Sequence, residues 1–81
     1  VPTIFEEDGY RVSVFTRNEH KPPHVHVERA GTRIAVLISL SGAEYRDSTG
    51  RKPTEREIRR AVAIVRSRLQ RCLFAWNRYH A

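Results

Sequence analysis

Residues 20–28 read HKPPHVHVE, which sets imidazoles at positions 20, 24 and 26 around a stiff Pro22-Pro23 pair and ends on a carboxylate. Three kinds of role use such groups. Neutral imidazoles two apart on one side of a strand, joined by His20 or Glu28, could supply three ligands to a divalent transition metal such as Zn and leave a position open. The candidate ligand set is His20, His24, His26 and Glu28. Without metal, His24 and His26 could divide the work of a small ribonuclease. One neutral ring would take a proton from a ribose hydroxyl and the other, charged, would give one to the leaving oxygen, while Arg11 or Arg33 holds the phosphate. The third role involves no cofactor and no chemistry: the histidines finish the start of a strand, hydrogen-bond the Pro-Pro turn and shape a binding surface.

The elements that would position these residues follow from periodicity. Tyr10, Val12 and Val14 alternate with Arg11, Ser13 and Phe15; Val25 and Val27 alternate with His24, His26 and Glu28; Ile34, Val36, Ile38 and Leu40 alternate with Arg33, Ala35, Leu37 and Ser39. Period-two segments of this kind are half-buried strands. Asp8-Gly9 signals a hairpin from a short strand at Ile4-Phe5, Ala30-Gly31-Thr32 supplies a tight connection, and residues 45 to 48 add a further short strand. Pro22 and Pro23 lack the N–H a central ladder needs, so they form the stiff approach to a strand starting at His24. If the valines of that strand face the core, His24, His26 and Glu28 look to the opposite, open face with Arg11, Ser13, Arg33 and Leu37.

From residue 51 the pattern changes. Pro53-Thr54 followed by Glu57 is a capping box, and Ile58, Ala61, Val62, Val65, Leu69, Cys72, Leu73, Trp76 and His80 then fall on one helical stripe without a Gly or Pro to interrupt it. The expected fold is therefore a single α+β domain over residues 1 to 81, with an antiparallel sheet of three to five strands in residues 1 to 50. One long C-terminal helix, rich in arginine, spans residues 51 to 81 across one face. A helix of about 27 residues runs roughly 40 Å, about twice the span of six-residue strands. Either it bends back, or its last turns are covered by a second copy or by a partner protein. Cys72 and His80 lie on the apolar stripe and read as packing residues.

Charge is split along the chain. Residues 1 to 50 hold six Lys/Arg against seven acids, a net of −1, whereas residues 51 to 81 hold nine against two, a net of +7. The polar side of the helix gathers Arg56, Arg59, Arg60, Arg66, Arg71 and Arg78 around Phe74. Guanidinium forks suit carboxylate and phosphate alike, so this surface points to an acidic protein partner or to RNA or DNA. Phe74 in its midst favours a protein contact, because an aromatic ringed by arginine is a common interface anchor.

With 81 residues and a single cysteine, the chain offers neither an internal disulfide nor a thiolate metal cage. No apolar run approaches the roughly 20 residues of a membrane span, and a cytoplasmic protein is expected. The sequence has no P-loop, dinucleotide fingerprint, G-x-S-x-G elbow or zinc-finger spacing.

Four stretches, PTIF at 2 to 5, GYRVSVF at 9 to 15, EHKPPHVHVE at 19 to 28 and AWNRYH at 75 to 80, together resemble the small bacterial family called domain of unknown function 4160. The family's marked positions fall here on His20, Pro22, Pro23, His24, His26, Trp76 and His80. Its members resemble components of toxin–antitoxin-like gene pairs, so the resemblance implies a cognate small protein partner. Asn77-Arg78 departs from the acidic residues that relatives carry between the Trp and the Tyr, which changes the charge of that surface. The expectation is a small binding module, with a His-dependent ribonuclease or a metal site as the alternative.

Overall fold

The computed structural model describes residues 2–15 and 22–80. Five strands, β1 (Thr3–Glu7), β2 (Tyr10–Ser13), β3 (His24–Arg29), β4 (Thr32–Ser39) and β5 (Gly42–Gly50), precede two helices, α1 (Glu55–Ser67) and α2 (Leu69–His80). The strands form one antiparallel sheet in chain order. Two of its hairpins turn on two residues at positive φ, Asp8 (55°) with Gly9 (79°) and Ala30 (47°) with Gly31 (84°). That is the type I′ geometry whose twist matches the flanking strands. The short final strand expected near residues 45 to 48 is nine residues long.

The pleat falls as the alternation requires. Val12, Val25, Val27, Ile34, Val36 and Ile38 share one face and form a core with Ala61, Ile64, Val65, Cys72 and Trp76 from the helices. Thr54 caps α1, its hydroxyl accepting the Glu57 N–H at 3.1 Å while the Glu57 carboxylate accepts the Thr54 N–H at 2.9 Å.

The single long helix expected from the uninterrupted stripe is two helices. Arg68 leaves helical geometry (φ −130°, ψ 39°) between α1 and α2. Neither Gly nor Pro marks the break, which is tertiary in origin. A straight helix of about 40 Å would overrun a molecule whose longest dimension is 32 Å. Side-chain bonds at the junction help the turn: Ser67 Oγ donates to the Ile64 carbonyl at 2.7 Å, and Arg68 reaches Glu7 at 3.4 Å and lies over the Phe5 ring. After the break α2 returns to the sheet, so Cys72 and Trp76 are buried in this chain's own core. The argument from helix length for a second copy no longer applies.

Candidate functional site

The histidine segment is held from both sides. Pro23 contributes its carbonyl to the Ile38 N–H at 3.0 Å, which joins the Pro-Pro turn to β4. On the β2 side the pairing ends at Ser13↔His26, and side chains from α2 meet the strands where they part. Phe15 stacks on His26 (centroids 4.2 Å apart, planes 18°), His26 meets His24 edge-on (5.1 Å), His24 tilts against Trp76 (5.3 Å), and Trp76 packs on His80 (4.2 Å). The His80 Nε2–H returns to the Phe15 carbonyl, closing the circuit. His80 thus packs with its polar tip satisfied, as the sequence indicates.

This geometry corrects the expectation that His24 looks onto an open face beside His26. His24 is 4% exposed. Its Nδ1 lies 3.0 Å from the Pro22 carbonyl; a carbonyl only accepts, so Nδ1 carries the proton. Burial comes from Trp76, brought there by the turn at Arg68 that the stripe did not announce. His26 stays half-buried, and Val25 and Val27 do face the core.

The candidate ligands are only partly brought together. His20 lies outside the described residues. Among those residues no group of three His, Cys, Asp or Glu side chains is arranged to hold a metal ion. Glu28 is engaged by two guanidiniums: Oε1 by Arg11 at 3.5 Å, and Oε2 by Arg33 at 3.0 and 3.2 Å. Two cations at that distance oppose a dication. Register explains the triad, since Arg11, Glu28 and Arg33 stand opposite one another on β2, β3 and β4. The next row is Ser13, His26 and Ala35. Of the four residues assigned to acid–base chemistry, Arg11 and Arg33 flank one carboxylate with His26 a row away, while His24 turns under Trp76.

The helix arginines also need correction. The sequence assigns all six to a surface that meets an acidic protein partner or a nucleic acid. Instead Arg60 reaches Asp8 at 3.1 Å and Glu7 at 3.6 Å, Arg66 donates to the Ala43 carbonyl at 2.8 Å, and Arg71 donates to the Ile4 carbonyl at 3.0 Å while covering Phe5. The acids of the β1–β2 turn offset the charge of Arg60 and Arg68, while sheet carbonyls take up hydrogen-bond donors of Arg66 and Arg71 without changing their charge. Among the described residues Arg59 pairs only with Glu55 at 3.7 Å, Arg78 lies over Tyr79, and Arg56 has no ion pair.

A further network escaped sequence reasoning. Glu57, largely buried, takes both Arg51 (2.8 and 3.2 Å) and Arg29 (3.2 Å). The Arg51 hydrogen bonds, the Thr54 N–H and Arg29 hold its carboxyl down at about 2. The capping box marked Glu57, but nothing local marked its long-range partner Arg29.

Phe74 is 69% exposed and Tyr79 40%. They border a groove of about 600 Å³ between α2 and the start of the sheet, floored by Ile4, Val14 and Ala75 and rimmed by Arg71 and Arg78.

The domain of unknown function DUF4160 matches residues 9–77. The chain belongs to the DUF4160 family. The DUF4160 match takes in the PPHVHV segment, the arginine triad and Trp76, and stops short of His80 and the PTIF stretch. No curated protein and no solved structure matches the chain.

Proposed function

We propose that this DUF4160 domain is a binding module, one component of a toxin–antitoxin-like pair, which engages a small acidic protein partner through the groove beside α2. Phe74 carries this reading. An aromatic ring left in water next to an apolar groove gains by burial, and the fold has already used Leu69, Cys72, Leu73 and Trp76 of the same helix for its own core. Arg78 on the rim gives the occupant its sign, because a chain of net charge +6 steers and holds an acidic surface. The toxin–antitoxin-like gene context that the sequence resemblance implies suggests the kind of partner, the product of a neighbouring gene.

The test is binding of the neighbouring gene's product, measured by calorimetry with wild type and Phe74→Ser. Withdrawing a buried phenyl from an interface costs about 2 kcal/mol, so the dissociation constant should rise about thirtyfold. Affinity unchanged by Phe74→Ser would remove the groove from the interface. A second copy in place of the partner would appear as a dimer of the isolated chain that Phe74→Ser dissolves. Cleavage of RNA by the purified chain, lost on His26→Ala, would favour the ribonuclease reading.

A further inference from the structure

We propose that the open face of the sheet carries a second site, independent of the α2 groove, in which Ser13, Arg11 and Arg33 bind the oxyanion of a small polar ligand, a phosphate or a carboxylate. The starting observation is Ser13. It is 1% exposed, and among the described residues its hydroxyl has no hydrogen-bond partner, a condition that folded proteins seldom leave in place. Ser13 lines a cavity of about 190 Å³ together with Thr3, Arg11, Phe15, Glu28 and Arg33.

The unspent capacity around that cavity is donor in character. Both oxygens of Glu28 are taken, one by Arg11 and the other twice by Arg33. A guanidinium has five N–H groups, so most of those on the two arginines have no partner among the described residues. The hydroxyls of Ser13 and Thr3 add two more donors. Two cations against one carboxylate leave a local charge of about +1. A surplus of donors and positive charge around a covered hydroxyl calls for an acceptor with several lone pairs, which an oxyanion supplies.

Size sets the rest. A pocket for a drug-sized molecule is about 300 Å³ or more, so this cavity takes one oxyanion group and little else. The body of the ligand lies outward, in a polar depression of about 550 Å³ that shares Arg11, Glu28 and Arg33. The far wall is fixed beforehand, because Phe15 stacks on His26 and has the Arg33 guanidinium 4.9 Å from its centroid. Arg11 is the movable part. Among the described residues its one ion-pair contact is long, at 3.5 Å, and its side chain is 53% exposed, so it reorients to close over the bound group.

The experiment is thermal denaturation of the whole chain titrated with inorganic phosphate, and separately with acetate, at constant ionic strength in sodium chloride. At least one should raise the midpoint saturably, and the stronger of the two names the ligand class. Ser13→Ala should raise the midpoint in the absence of anion, since it deletes an unpartnered hydroxyl, and should weaken the apparent affinity about tenfold. Arg33→Gln should abolish the response, Arg56→Gln should leave it intact, and so should Phe74→Ser, which separates this site from the partner groove. No saturable rise with either anion would overturn the proposal. So would an equal rise in Ser13→Ala, or a lowered anion-free midpoint in that variant.

Discussion

Replacing His24 with alanine should destabilise the domain heavily, because the imidazole is part of the core. The side chain sits between His26 and Trp76 and binds the Pro22 carbonyl. Truncating a buried aromatic such as Phe to Ala costs about 3–5 kcal/mol. An imidazole is smaller, so its packing loss falls toward the low end, while the abandoned Pro22 carbonyl adds about 1 kcal/mol. A loss of about 3 kcal/mol is a large share of the roughly 4–12 kcal/mol available to a chain of this length. At about 4–8 °C per kcal/mol for a small domain, the midpoint should fall by about 12–24 °C. Equilibrium urea unfolding followed by Trp76 fluorescence measures this directly. His24→Asn, which restores a donor near the Nδ1 position without the ring, should recover the hydrogen-bond part and leave the packing loss. If His24→Ala loses less than about 1 kcal/mol, the ring is not a structural member of the circuit from Phe15 to His80, and the case for placing it outside the chemistry fails.

Glu57 fixes the response to acid. Its folded pKa is depressed from 4.5 to about 2, first by Arg51 and then by the Thr54 N–H. Its stabilisation is therefore complete above about 4.5 and is lost as the pH falls toward 2. Glu57→Gln should lower the midpoint at pH 7 and flatten its decline between those values; an unchanged slope would show that other carboxylates dominate. Burial pushes the Cys72 thiol up to about 11, against a smaller opposing pull from Arg71. Native protein at pH 8 should therefore resist a thiol-directed reagent until denaturant opens the core, and rapid labelling without denaturant would contradict that burial.

Much of the architecture can be read from single residues. Val25 and Val27 alternating with His24 and His26 give the register of β3, Asp8-Gly9 gives the first hairpin, and Thr54 with Glu57 gives the start of α1, because each signal is local and chemically specific. The break at Arg68 is not local: an apolar stripe continues straight through it, and only the size of the sheet demands that the helix turn. The burial of His24 follows from that turn and so was equally hidden. Arg29 and Arg51 converging on Glu57 also depend on the β3–β4 turn meeting the start of α1, which no spacing encodes. Alternation places Ser13 on the face it occupies, but its lack of a partner among the described residues is a property of the packed neighbourhood.

The charge split along the sequence can mislead about partners for the same reason. Six arginines on the helix suggest a polyanion surface, yet Arg60, Arg66 and Arg71 hold α1 and α2 to the sheet. Arg56, Arg59 and Arg78 are left to meet anything outside. Binding that neutralises Z phosphates of duplex DNA varies with salt as a power of about 0.9Z. Three arginines then give a loss of about fortyfold between 50 and 200 mM salt, whereas all six would give more than a thousandfold. The dependence measured by fluorescence anisotropy on a labelled duplex should be the shallower one. A slope near −5 would mean that the helices release the sheet to bind DNA, and the intramolecular pairing described here would not be the state that binds.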